Sequence, residues 1–320
     1  MDDTATAEEV KVKHISRFRQ IQVYLGKMFR MFIYQKDWKL LPMAAIIAGA
    51  VAYVTGASMF VTMEGTLKGS LALSCVCLWN GFFNSIQVVC RERAVIKREH
   101  RAGMHISSYV LSHVIYQACL CILQVAITII ICTFAKYAFP TEGIITPWFM
   151  VDFAISMFLI TFASDMLSLF VSCFVKTTTA AMTVMPFLLI FQLIFSGTVF
   201  SLSTNAKTIS NLTITKWGMN SICAESGYSD QPMVSVWNQI YSMRSLEFDG
   251  IKPVEIVTDF LEQNGLVDEF TKVTAKAAQV EAYASTPENV KQCWSMLGLM
   301  SFVFMAAAII SLEFVDKDKR

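Results

Sequence analysis

Six apolar runs alternate with polar connections along most of this chain, each close to the roughly 20 residues that a bilayer requires. They cover residues 40–60, 71–90, 109–134, 149–174, 180–200 and 294–314. Runs of this length predict an all-α polytopic membrane protein with six transmembrane helices. An even number of spans puts both ends of the chain on one side. Lys11, Lys13, Arg17, Arg19, Lys27, Arg30, Lys36 and Lys39 precede the first run, and Lys317, Lys319 and Arg320 follow the last. Lys and Arg stay inside, so both termini are expected to be cytoplasmic.

The polar stretches have a pattern of their own. Residues 1–39 form a cytoplasmic N-terminus whose second half, 14–34, repeats Ile15, Phe18, Ile21, Leu25, Met28 and Phe32 at three- and four-residue spacing, with Arg17, Arg19, Lys27 and Arg30 between them. That is an amphipathic helix, expected to lie in the membrane interface against lipid. Residues 40–202 hold the first five spans, and residues 293–320 hold the sixth span and a cytoplasmic tail. The segment 203–292 is too polar to cross. Its first part, with Ile209, Leu212, Ile214, Trp217, Met219 and Ile222, predicts short helices dipping back into the outer leaflet. Its second part predicts a small helical external cap, in which Pro253 opens one helix and 267–283 makes another.

Composition agrees with the pattern: 55% of residues are hydrophobic and 16% charged, against roughly 25% charged in soluble proteins. Mean hydropathy is +0.51. A net charge of +1 gives no footprint for nucleic acid, and none is expected as a partner. No secretory signal is evident in the acidic, polar opening residues. The nine cysteines follow no metal spacing, and Cys75/Cys77 and Cys119/Cys121 read as small hydrophobes inside apolar runs. There is no phosphate-binding glycine loop and no His/Glu metal motif. Asp152 and Asp165 stand in the fourth run, where a carboxylate is costly. Asp152 is expected near water at the outer end, and Asp165 against a neighbouring helix or cavity. No catalytic residue, metal ligand or cofactor is assigned to this chain.

Between the second and third runs lies the block Arg91-Glu92-Arg93-Ala94-Val95-Ile96-Lys97-Arg98-Glu99-His100-Arg101. Five Lys/Arg and one His keep it inside, and it is too short to be a domain. Residues 91–108 are therefore expected to form a compact, helical cytoplasmic connection. Arg91, Glu92, Arg93, Arg98 and Glu99 sit at spacings that present ion pairs toward a soluble partner.

The Glu92-Arg93, Arg98-Glu99 and Gly103 pattern, followed by Ser107-Ser108-Tyr109, resembles the coupling loop of ATP-binding-cassette exporter permeases of the G-subfamily or type-2 kind. Phe195-Ser196-Gly197 is similar to the family's bend in span five. Residues 215–222 resemble its outer re-entrant segment, and Leu312-Glu313-Phe314-Val315 its closing span. The resemblance implies two permease subunits, identical or homologous, around a central cavity. Each would sit on a nucleotide-binding subunit that holds ATP and Mg. It implies a substrate path lined by Asn80, Phe83 and Asn84 on span two and by Phe187, Phe191 and Phe195 on span five, suited to an apolar or amphipathic substrate.

Two departures stand out. Thr198-Val199 replaces the leucine pair with which human-type members close their cavity, so the outer gate is assigned to Thr198 and Val199. An ATPase on a separate polypeptide is expected, which points to a bacterial plasma-membrane system. Cys223 and Cys293 fall outside the predicted spans at the base of the cap. A disulfide there would close a loop of about 70 residues and add roughly 4 kcal/mol, provided the Cα atoms lie within about 7 Å. Two other classes stay open from the residues alone: a polytopic lipid-modifying enzyme, which should show clustered interfacial acids or histidines, and a scaffold, which needs no polar interior.

Overall fold

The computed structural model describes residues 16–34, 37–198, 200 and 204–314, and among them there are thirteen α-helices and no β-strand. In chain order these are α1 (Arg17–Tyr34), α2 (Leu40–Thr55), α3 (Met63–Ser85), α4 (Val88–Arg101), α5 (Ile106–Phe134), α6 (Phe149–Phe174), α7 (Thr178–Ile194), α8 (Thr204–Ser210), α9 (Ile214–Glu225), α10 (Val234–Ser242), α11 (Pro253–Gln263), α12 (Val267–Ala277) and α13 (Pro287–Glu313). Five helical stretches are long and apolar enough to cross a membrane. The run expected over 180–200 is a helix of 17 residues, shorter than any of those five stretches (α2 reaches 19 only with the helical turn before it), because the backbone turns away at Phe195-Ser196-Gly197. Gly197 takes a left-handed φ of 84° there, a conformation that only glycine adopts cheaply.

The second span also differs from the expectation. It starts at Met63, earlier than 71, with the Thr62 hydroxyl accepting the Gly65 N–H at 3.1 Å as an N-cap. It ends at Ser85, and a new helix, α4, starts at Val88. The first N–H groups of a new helix have no partner within it. Here the Ser172 hydroxyl of α6 accepts those of Val89 at 3.1 Å and Cys90 at 3.3 Å.

Helix α6 is the axis of the bundle, packed against α3, α5, α9 and α13. Its contact with α3 is built from small polar residues one turn apart. Ser164 donates to the Leu78 carbonyl and Ser168 to the Phe82 carbonyl, each at 2.9 Å. Gly81 lets the two backbones meet: a Cβ there would lie 2.5 Å from the Thr161 carbonyl oxygen. Small residues at such an interface give close van der Waals packing where water supplies no hydrophobic drive. Ala44, Ala48 and Ala52, also one turn apart, form the buried face of α2, which packs on α5.

Asp152 is fully buried, not placed at water as the sequence led us to expect. Its carboxylate accepts the N–H groups of Ile144 and Ile145 at 2.9 Å and of Thr146 at 3.1 Å, folding the loop before α6 back on the helix start. Asp165 is buried too. It accepts from Ser85 and, at 3.5 Å, from the Cys121 thiol.

The segment before α13 holds three short helices joined by turns. Helices α10, α11 and α12 pack on one another, and the Arg244 guanidinium bonds Asp259 and sits 3.9 Å from Glu255. The group is tied to the start of α3, where Glu64 accepts the Ser235 N–H at 2.9 Å and Met63 donates to the Pro232 carbonyl at 3.1 Å. Cys223 and Cys293 are both buried as free thiols, so the expected disulfide is absent. Cys223 instead packs with Met63, Met219, Tyr228 and Ala275, where a thiol serves as a small hydrophobe.

Glu225, at the end of α9, accepts from Ser156 and, at 3.0 Å, from Ser221. Burial pushes its carboxyl up to about 8 from an ordinary 4.5, although the hydroxyl hydrogen bonds oppose the shift. The folded protein thus holds this proton more tightly than the unfolded chain. Stability from this group is complete below about pH 4.5 and is lost as pH rises toward 8. The melting temperature of the purified protein is expected to fall between pH 6 and 8.5, and Glu225→Gln to flatten that slope. An equal slope in the variant would assign the pH dependence elsewhere.

Candidate functional site

Helix α4 presents three differently employed faces. Val89 and Ile96 are buried, two turns apart, and pack with Met28 of α1 and Leu312 of α13. Glu92 and Glu99, also seven residues apart, turn toward α1 and not outward as their spacing led us to expect. Glu92 accepts from Lys27 at 3.2 Å, with the Tyr109 hydroxyl at 3.5 Å, and Glu99 accepts from the Tyr24 hydroxyl at 3.0 Å. Burial, reinforced by Glu99, holds the Tyr24 hydroxyl well above its ordinary range, so it keeps the proton it donates. Gln20 of α1 adds bonds to the turn after α4: its amide donates to the Gly103 carbonyl at 3.3 Å and accepts the His105 N–H at 3.0 Å. The acids therefore hold α4 to α1. Spacing gives the shared face but not the neighbour it meets.

Arg93 joins α4 to α6. Its guanidinium donates to the carbonyls of Cys173 at 2.9 Å and Val175 at 3.2 Å, at the end of α6 where backbone acceptors lack helical partners. Together with Ser172 on the α4 start, this is a reciprocal cap: each helix satisfies the other's terminus. What remains exposed is a basic stripe, Arg91, Ala94, Arg98 and Arg101, at spacings of three and four.

The expected path residues separate into two sets. Asn80 and Asn84 are buried within the chain. The Asn84 amide exchanges two 2.9 Å hydrogen bonds with Gln124 of α5, and Asn84 also borders a cavity between the helices. Phe83 is half-buried, its ring 5.2 Å from that of Trp79. On α7 the side chains of Phe187 (69%) and Phe191 (37%) are exposed, and Phe191 packs on Phe195 with centroids 4.7 Å apart. Thr198 bonds within its own turn to Ser196, at 3.1 Å, and reaches Met219 of α9. Val199 lies outside the described residues, as do His14 and Ile15 of the amphipathic segment.

Several polar positions not singled out in the sequence are buried between the helices. Gln192 of α7 accepts the N–H groups of Ile214 at 2.8 Å and Thr215 at 3.2 Å, capping α9. On α5, His113, Gln117, Gln124 and Thr128 are all buried. Gln117 donates to Ser85 at 2.8 Å and to the Asn84 carbonyl at 3.3 Å. Their spacing of four, seven and four residues, one helix face inside an apolar run, was the available signal, since polar side chains in a span face partners and not lipid. Among the described residues, no group of three or more His, Cys, Asp or Glu is placed to hold a metal ion.

A search of curated proteins found no match to this chain. A family match does exist, to the family described as ABC-2 type transporter, and it spans residues 19–224, from α1 through α9. With several helices able to cross a membrane and well over half of its length matched, this chain is a multi-pass membrane protein that belongs to the ABC-2 type transporter family.

Proposed function

We propose that the chain is the permease subunit of an ABC exporter of the G-subfamily kind, working with a separate nucleotide-binding subunit that binds ATP and Mg. The observation that carries this reading is the fixing of α4 on two sides, to α1 through Glu92 and Glu99 and to α6 through Arg93, with Arg91, Arg98 and Arg101 exposed on a third. Such a helix delivers a push at its exposed face straight into the axis of the bundle. In this reading α4 and both termini are cytoplasmic, in a bacterial plasma membrane. α1 lies along the inner interface as an elbow, and α8 and α9 dip into the outer leaflet under the helical cap.

A second permease copy, identical or homologous, faces the exposed side of α7 and Phe83. The central path between them takes an apolar or amphipathic substrate outward past Phe187, Phe191 and Phe195, with Thr198 and Val199 at the outer end. The test is ATP hydrolysis by the complex purified from its native membrane and placed in nanodiscs. Arg91→Glu/Arg98→Glu is expected to remove the ATPase subunit and at least 90% of hydrolysis while the permease stays in the membrane, since docked charge pairs contribute about 1.5 kcal/mol or more each. A native complex without an ATPase, or full hydrolysis in the variant, would overturn the reading.

A further inference from the structure

A cavity of about 330 Å³ lies among α1, α3, α4, α5 and α7, bordered by Met28, Met31, Phe83, His113, Gln117 and Met182. Its size is at the lower end of small-molecule sites, roughly 300–1,000 Å³. Much of the wall is apolar; Asp37, Arg91 and Tyr116 also reach it, and two buried polar side chains border it with bonding capacity unused. His113 is 4% exposed and neither ring nitrogen has a partner. Gln117 is 1% exposed; its amide nitrogen is engaged by Ser85 and by the Asn84 carbonyl, while its oxygen has none. Buried polar atoms are satisfied in the great majority of cases, so three idle ones at one cavity imply an occupant.

We infer that this cavity binds the polar end of a neutral, hydroxyl-bearing amphipathic molecule, whose hydroxyl accepts from the His113 N–H and donates to the Gln117 oxygen. The donor count selects the chemistry. Whichever ring nitrogen of a neutral imidazole carries its proton, it offers one donor and one acceptor, and the Gln117 oxygen adds a second acceptor. A hydroxyl has one proton to give and lone pairs to receive, so it fits this set. A carboxylate has no proton to give and would leave the Gln117 oxygen unpaired. A methyl ether can accept from His113 but leaves both acceptors empty. The methionines, flexible and polarizable, suit a wall that adapts to an alkyl chain. The site deepens the transport reading by naming what is taken up from the α4 side, and it is separate from the Phe187 and Phe191 surface.

The test uses photoaffinity labelling of the intact chain in nanodiscs, without ATP, with a diazirine-bearing long-chain alcohol. The matched methyl ether and the matched carboxylic acid serve as comparison probes, and labelled peptides are located by mass spectrometry. The alcohol is expected to label α3 and α5 around Phe83 and His113 about tenfold more than either comparison probe, the worth of about one hydrogen bond to a buried partner. His113→Phe should remove that preference, and Phe83→Trp should lower labelling by filling the cavity; both variants are checked for an unchanged melting temperature. Equal labelling by alcohol and ether, preference for the acid, or an unchanged preference in His113→Phe would overturn the inference. Because binding is read without nucleotide, failure here leaves ATP-driven transport standing, and loss of the ATPase partnership leaves this binding standing.

Discussion

Asp152→Ala is expected to lower the stability of the protein by about 3 kcal/mol, measured by thermal or denaturant unfolding of the solubilised chain. The carboxylate accepts three consecutive backbone N–H groups, those of Ile144, Ile145 and Thr146, and is itself wholly buried. Hydrogen bonds to a charged acceptor contribute about 1.5–3 kcal/mol each, and the half-buried loop lets water replace part of what is lost. Gly143 stands under the same carboxylate, where an added Cβ would lie 2.7 Å from Oδ2, so the loop cannot close over a vacated site without moving. Asp152→Asn keeps one oxygen acceptor and should fall between wild type and alanine. An alanine variant that melts with wild type would show that the loop is held by its packing alone.

Arg93→Ala is expected to separate ATP hydrolysis from transport, cutting substrate-stimulated activity tenfold or more while basal hydrolysis persists. The guanidinium bridges the Cys173 and Val175 carbonyls with a rigid fork of donors, and the Cys90 thiol, also near Val175, is a weaker single donor. Arg93→Lys, with one ammonium on a flexible stem, should recover only part of the coupling. Ser172→Ala, which removes the opposite half of the reciprocal cap, should add less than its single effect when combined with Arg93→Ala, because the two act on one junction. Full stimulation in Arg93→Ala at normal expression would place the transmission elsewhere, with α1 the next candidate through Glu92 and Glu99.

The long apolar runs were legible because length and hydropathy are local properties, and they located α2, α3, α5, α6 and α13 to within several residues. Helix boundaries were less so. Glu64 and Lys68 made the first turns of α3 look like connection, and yet Glu64 is spent on the Ser235 N–H. The break between α3 and α4 was invisible because no glycine or proline marks Ile86-Gln87, and the groups it frees are received by a serine on α6. The basic block was found from charge alone, but Glu92 and Glu99 were aimed the wrong way, since helical periodicity fixes a face and not what lies against it. The cysteine pair was proposed from position in the chain, and apolar packing around Cys223 already holds that corner.

The row of hydroxyls on α6 has a consequence for how the chain is made. Ser164 and Ser168 find their acceptors only on α3, and Asp165 its nearest donors on α3 and α5. A lone α6 released into lipid would turn its serine hydroxyls onto its own carbonyls one turn back and leave Asp165 without donors, at a cost of several kcal/mol for the carboxylate. Synthesis delivers α3 and α5 first, so a template stands in the bilayer when α6 leaves the insertion machinery, and docking can accompany release. Helix α13, the other broad partner of α6, emerges only after the whole α8–α12 segment. Through that interval the α6 flank awaiting α13 is open to quality-control proteases, so variants that slow the folding of α10–α12 should shorten the protein's cellular lifetime without touching any residue on the transport route.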